Sequence, residues 1–200
     1  MGRKRIAIYG GTFDPPHIGH GVVAEKVSRY PRVDEVWIMP TPQNPNKSRK
    51  ATQSALRVKM LTKMFALSNK ISVSMFQING EIYRTIDLLE ELSSIFGEDF
   101  EFIPVIGSDC LTEINTWKDY DKLLSKYGVI VYPRKGDEID PIILDAYPKI
   151  EILPPPYPEI NISSTMIRNM IRDGIPPHFL IPESIYPIIL QGDLYKDDEE

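Results

Sequence analysis

Two of the three histidines in this 200-residue chain, His17 and His20, stand three residues apart in the segment Gly10 to His20, GGTFDPPHIGH. On a helix that spacing puts both rings on one face. The apolar run Arg5 to Tyr9 reads as a buried strand closed by Gly10 and Gly11, and Ile18 to about Tyr30 reads as a helix stopped at Pro31. Backbone without side chains lets a bulky anion approach closely. A helix start offers unpaired N–H groups and a partial positive charge. The chemistry this suits is the handling of phosphate. Gly19, between the histidines, costs about 1 kcal/mol of helix stability relative to alanine, which predicts that something must come close there. Two other readings stay open. In one, the glycines only make a tight turn and the histidines only cap the helix. In the other, Asp14, His17 and His20 ligate a metal; the ligand types suit, but a fourth partner is lacking and Gly19 is unexplained.

A second cluster lies far along the chain, at Asn161 to Arg168, NISSTMIR. Ser163, Ser164 or Thr165 can cap a helix N-terminus. Arg168 follows Ser164 by four residues and Thr165 by three, so it returns to the same face. Hydroxyls, free amides and a guanidinium then converge as a cradle for terminal phosphates. Alone, the segment also reads as an ordinary capped helix with a surface arginine.

The elements that must position these residues alternate. Glu35 to Met39 is a second strand, Ala55 to Leu67 a helix, and Ile71 to Ile78 a strand. Ile86 to Phe96 is a helix and Glu101 to Ile106 a strand ending in Gly107-Ser108-Asp109. Leu111 to Lys126 is helical, in one or two pieces, before strands at Tyr127 to Tyr132 and Ile150 to Leu153. The alternation predicts an α/β, Rossmann-like open parallel sheet with helices on both faces. Ligands of such sheets bind beyond the carboxyl ends of the strands. Past Pro154-Pro155-Pro156, Ser164 to Asp173 and Glu183 to Leu190 read as two helices with no strand between. The expectation is a single domain over residues 1–200, with a small C-terminal helical appendage at about 160–195.

Composition narrows the classes. Net charge is -5, against the broad basic footprint of a nucleic-acid-binding protein. One cysteine, Cys110, excludes an internal disulfide and a four-thiolate zinc site and suggests a reducing compartment. No apolar run approaches the roughly 18 residues that span a bilayer. The basic N-terminus has too short an apolar stretch for a signal peptide, and Ile6 stands where a myristoylation pattern wants Ser or Thr. The expectation is a cytoplasmic protein with no membrane or nucleic-acid partner. A homo-oligomer is left open.

The strand, GGTFDPPH and HIGH resemble the nucleotidylyltransferase superfamily, whose (H/T)xGH signature works on ATP phosphates. HIGH also occurs in class I aminoacyl-tRNA synthetases, but these carry a KMSKS-type lysine loop that is missing here. ISSTMIR at Ile162 to Arg168 resembles the superfamily's second signature. Three further segments, YRTIDLLEEL at Tyr83 to Leu92, IGSDCLTEINTWKDYDKLL at Ile106 to Leu124 and FLIPESIYPIILQGDLY at Phe179 to Tyr195, are similar to those of bacterial nicotinate-nucleotide adenylyltransferases. Departures are an extra residue between Tyr83 and Thr85, Leu88 for a threonine, PRKG around Arg134 in place of RPG, and PQNPNK in the loop after the second strand.

The resemblance implies a reaction between ATP and nicotinate mononucleotide, giving the dinucleotide and pyrophosphate, with magnesium arriving on the ATP. It implies that His20 and His17 are catalytic. It places Gly10, Gly11, Thr12 and Phe13 of the first signature, Gly107 and Asp109 after the fourth strand, and Ile162, Ser163, Thr165 and Arg168 of the second signature on ATP. Asn44, Lys47, Thr85, Trp117 and Arg134 fall to the pyridine mononucleotide, Trp117 as the ring that stacks on pyridine. From periodicity alone Trp117, six residues after Leu111 and three after Ile114, reads as core. Asp109 also reads as a helix cap, and Lys47, Arg49 and Lys50 as a solvated basic loop. Nicotinamide mononucleotide in place of the nicotinate acceptor stays open, sister transferases acting on phosphopantetheine or making a cytidylyl product share the first signature, and a non-catalytic nucleotide sensor is the remaining alternative.

Overall fold

The computed structural model describes residues 2–42, 51–78, 84–134, 136, 138–158 and 160–196. Six parallel strands form one sheet: β1 Lys4–Gly11, β2 Glu35–Pro40, β3 Ile71–Val73, β4 Phe100–Gly107, β5 Val129–Tyr132 and β6 Ile150–Ile152. Their order is β3-β2-β1-β4-β5-β6, so the direction of winding reverses between β1 and β4. This is the Rossmann-like arrangement, and the switch point is where its ligand crevice opens. The helices are α1 Ile18–Ser28, α2 Ser54–Met64, α3 Thr85–Phe96, α4 Ser108–Thr112, the single turn α5 Tyr120–Lys122, α6 Pro141–Ala146, α7 Ser164–Arg172 and α8 Tyr186–Gln191. Among the described residues no helix is long and apolar enough to cross a membrane.

Period-two alternation divides the core into two layers. On one face Ile6 and Ile8 of β1, Phe102 and Ile106 of β4, and Val129 and Val131 of β5 pack against Leu88, Leu89 and Leu92 of α3. On the other, Ala7, Val36, Ile38, Ile103, Val105 and Ile130 pack against Ala24 and Val27 of α1 and Leu61 of α2. Full burial of each such Val, Leu or Ile stabilises by about 1.5–3 kcal/mol. A third cluster joins Met60 of α2 to Ile167 of α7 and to Ile181, Ile185, Ile188, Ile189 and Tyr195. The C-terminal helices therefore rest on α2, beside the loop that follows β1.

Several elements differ from the sequence expectation, among them α2, which ends at Met64 rather than Leu67, and α8, which begins at Tyr186 rather than Glu183. The third strand ends at Val73 rather than Ile78, because Ser74 turns the chain and its hydroxyl accepts the Phe76 N–H. The helical stretch 111–126 is broken into α4, a 3-10 turn at Ile114–Thr116, α5 and a π turn at Leu123–Tyr127. Trp117 is extended and Asp119 takes a left-handed conformation (φ 49°), so no single helix runs through them. Tyr127, expected to begin β5, closes that π turn instead. Helix α6 was not anticipated. Its signal was present: Asp140 caps it by accepting the Ile142 N–H at 2.9 Å, and Pro141 occupies the first helical position.

Candidate active site

His17 is the N-cap of α1, with extended backbone (φ -140°, ψ 169°), and His20 sits at the third helical position. The main-chain N–H of His17 donates to Nδ1 of His20 at 3.1 Å. This is the place a glutamate or glutamine takes in an ordinary capping box. The two rings stack, with centroids 3.7 Å apart and planes 26° from parallel, and the Phe13 ring meets His20 edge-on at 4.8 Å. The pair shares a face through this stacking, although His17 precedes the helix rather than lying in it. Gly19 has a local explanation. A Cβ there would lie 2.9 Å from two atoms of the His17 imidazole and 3.0 Å from Ile160. What comes close to Gly19 is the histidine itself.

Burial is the main force that keeps both rings neutral. Burial pushes His17 down to about 4, and its Nδ1 has no hydrogen-bond partner among the described residues. His20 is held well below the usual histidine range by burial, then by His17 and Arg134. With Nδ1 of His20 accepting a hydrogen bond, its proton resides on Nε2.

The second signature meets the first. Arg168 donates from Nη1 to the Asp14 carbonyl at 2.9 Å and from Nη2 to the Thr165 hydroxyl at 3.1 Å. The Ser164 hydroxyl donates to the Pro15 carbonyl at 2.8 Å, and Ser163 caps α7 by accepting the Met166 N–H. Asp14 is no free ligand. Its buried carboxylate accepts the Tyr195 hydroxyl at 2.6 Å and the Thr52 N–H at 3.0 Å. Among the described residues no group of three or more His, Cys, Asp or Glu could hold a metal ion, and the Asp14–His17–His20 reading of the sequence is not supported.

Two cavities adjoin at the carboxyl ends of β1, β4 and β5. The first, about 910 Å³, is lined by Thr12, His17, His20, Ser163, Thr165 and Arg168, with Ile162 on its wall. The second, about 630 Å³, is lined by Gly10, Gly11, Gly107, Arg84, Thr85 and Trp117. Thr12, Phe13, His20 and Arg134 belong to both walls. Gly10, Gly11 and Gly107, grouped with ATP in the sequence, thus lie on the second cavity rather than the first. Phe13 is 2% exposed and serves chiefly as packing under the histidine. Trp117 is half-buried against the α3 layer and faces the second cavity, so neither a pure core role nor a helical stripe describes it. Asn44 and Lys47, with Arg49, Lys50 and Tyr83, lie outside the described residues.

Asp109 does not cap α4, whose N-cap is Gly107. One carboxylate oxygen pairs with Arg134 at 2.9 Å, while the other is buried without a hydrogen-bond partner among the described residues. A Cβ on Gly107 would fall 2.2 Å from that second oxygen and 2.9 Å from the Arg134 Nε, so a side chain there would displace the Asp109–Arg134 pair. Ser108, fully buried, accepts the Arg134 main-chain N–H at 2.7 Å.

Several site residues carried no signal in the sequence. Arg84 is the N-cap of α3 and lines the second cavity with the buried Gln77. Arg57 is 1% exposed and donates to the carbonyls of Thr12 at 2.7 Å, Thr41 at 2.9 Å and Thr52 at 2.9 Å, holding the loops after β1 and β2 together. A basic residue at helical spacing among apolar ones reads as surface, and nothing in the pattern reveals three carbonyls converging on it.

The cytidylyltransferase-like family model matches residues 8–170. A protein of Thermoanaerobacter sp. (strain X514), named "Probable nicotinate-nucleotide adenylyltransferase", is 37% identical over 205 residues, covering 98% of this chain and 96% of that one. The chain belongs to the nicotinate-nucleotide adenylyltransferases. Another member, from Flavobacterium johnsoniae, is 31% identical over 96% of this chain and 99% of its own. In fold, the chain is similar to the Plasmodium falciparum nicotinic acid mononucleotide adenylyltransferase complexed with NaAD. The TM-score is 0.85 and the identity 26%, covering 99% of this chain and 100% of that chain. The same Plasmodium falciparum protein complexed with APC gives 0.84 at 25% identity, again over 99% and 100%.

Proposed function

We propose that the chain joins ATP to nicotinate mononucleotide, with the triphosphate in the first cavity and the mononucleotide in the second. The observation that carries this is the shared wall: Thr12, His20 and Arg134 face both cavities. A reacting atom at that wall is within reach of both ligands.

In the reaction a 5′-phosphate oxygen of the mononucleotide attacks the α-phosphorus of ATP. The new P–O bond forms as the α–β bridging P–O bond breaks, and the electron pair leaves with pyrophosphate. The attacking phosphate is already ionised at neutral pH, so no general base is required. Catalysis is positioning and charge stabilisation. His20 donates from Nε2 to the α-phosphate as charge builds, with His17 stacked against it on the triphosphate side. Thr12, Ser163, Thr165 and Arg168, with the N-terminus of α7, hold the polyphosphate. The unpartnered oxygen of Asp109 is an acceptor for a ribose hydroxyl at the junction. Magnesium bound to the triphosphate would offset its charge, held mainly by phosphate and water oxygens.

The second cavity suits an acid. Arg84 and Thr85 stand at the N-terminus of the 12-residue α3, where a partial positive charge favours an anion. A carboxylate gains there and a carboxamide does not, while Trp117 offers stacking to either. The test is pyrophosphate release with ATP and a panel of nicotinate mononucleotide, nicotinamide mononucleotide and phosphopantetheine. Turnover is expected with nicotinate mononucleotide and should be weaker by tenfold or more with the amide, about 1.4 kcal/mol. Preferred turnover of phosphopantetheine, or no turnover with any, would overturn the reading.

A further inference from the structure

After α8 the chain returns to the loop that follows β1. Tyr195 is 5% exposed, and its hydroxyl donates to Oδ1 of Asp14 at 2.6 Å, across 181 positions of sequence. The other carboxylate oxygen accepts the Thr52 N–H, and the Arg57 guanidinium lies within electrostatic reach of both Asp14 and Tyr195. Asp14 is therefore held by its side chain on the side of the C-terminal tail. On its other side, its carbonyl receives Arg168 of the phosphate cradle, and the neighbouring Pro15 carbonyl receives Ser164. Tyr195 lines neither cavity. It adopts φ 67°, and Asp193 φ 50°, left-handed values that non-glycine residues keep only where surrounding contacts over-determine them.

The geometry points to Tyr195 as a positioning residue for adenylyl transfer: its hydroxyl fixes Asp14, Asp14 fixes Arg168, and the C-terminal tail is thereby coupled to the triphosphate site. This rests on ATP occupying the first cavity. The hydroxyl, not the ring, carries the coupling, because the ring packs in the cluster of Ile181, Ile185 and Ile188 and would do so without its oxygen.

Steady-state kinetics of Tyr195→Phe test it. The KM for ATP is expected to rise about tenfold, with a fall in kcat, the scale of a small misplacement transmitted from outside the chemistry. The KM for the mononucleotide should stay within about twofold, because its cavity lacks contact with Asp14. Tyr147→Phe, which removes a hydroxyl bonded to the exposed Asp121, is the control and should match wild type. A lowered Tm with both kinetic constants unchanged would mean that Tyr195 is only structural, and the inference would fail. Wild-type protein that releases no pyrophosphate would instead overturn the functional reading. If Tyr195→Phe does not fold, wild-type hydrogen exchange decides. Coupling is reciprocal, so an ATP analogue with a methylene α–β bridge should slow the amides of residues 193–196 severalfold. Slowing near His20 without slowing at 193–196 would overturn the coupling, and slowing at neither place would overturn ATP binding itself.

Discussion

The main-chain N–H of His17 donates to Nδ1 of His20, 3.1 Å away, while the two rings stack at 3.7 Å. That one bond decides three things. It closes the start of α1, it fixes the tautomer of His20, and it opposes protonation at Nδ1, where a second hydrogen would face the His17 N–H. The result is a neutral ring that lines both cavities and carries its donor on Nε2.

His20→Ala removes that donor. Turnover should fall roughly 100- to 1,000-fold, the scale for losing one transition-state hydrogen bond, with ATP affinity changed far less. Single-turnover rates beside equilibrium ATP binding make the comparison. Near-normal turnover would take His20 out of the chemistry.

Arg168→Ala should act on binding. The guanidinium reaches the cradle from α7 and braces the Asp14 carbonyl. Losing a charge-assisted contact to phosphate is worth about 1.5–3 kcal/mol. Calorimetry should show ATP and pyrophosphate affinity weakened about tenfold or more, and unchanged affinity would count against the assignment.

Gly19→Ala sets two effects against each other. Helix propensity alone predicts a gain of about 1 kcal/mol. The new methyl, however, would stand 2.9 Å from the His17 ring. Displacement of the stacked imidazole is expected to win, so activity should drop even if thermal stability holds. A fully active, more stable variant would show that the ring yields without consequence.

Acid should destabilise the fold through His17. Its folded value is about 4 and its ordinary value 6.5, because burial disfavours the cation. As pH falls through 6.5 the unfolded chain takes up a proton that the folded chain refuses until about 4. Stability is thus complete above pH 6.5 and is lost between there and about 4, by on the order of 3 kcal/mol. Chemical denaturation at pH 7 and pH 4.5 measures it, and His17→Gln should lose less over the same interval. Equal losses in both proteins would assign the effect to other groups.

What the sequence revealed followed from local signals. Apolar runs between turn residues placed β1, β2, β4 and β5, 3.6-residue spacing placed α2 and α3, and Pro31 bounded α1, because each signal is written in nearby residues. The two segments that meet at the first cavity were legible for the same reason: glycines, hydroxyls and basic groups sit close together at helix starts. Asp14 and Tyr195 were not, since two residues 181 positions apart leave no periodic trace of their pairing. Trp117 shows the limit of periodicity itself. Its spacing from Leu111 and Ile114 is helical, yet the chain is extended at Trp117, and that change of conformation turns the indole toward a cavity. Gly19 shows a cause that spacing pointed to but could not name.

The most direct test of the two-cavity site is a crystal structure with nicotinate adenine dinucleotide bound. The adenylyl half should fill the first cavity between α1 and α7, the pyridine should stack on Trp117 with its carboxylate toward Arg84 and Thr85, and the bridging phosphates should lie at His20. A dinucleotide confined to one cavity, or with its phosphates away from His20, would contradict the account.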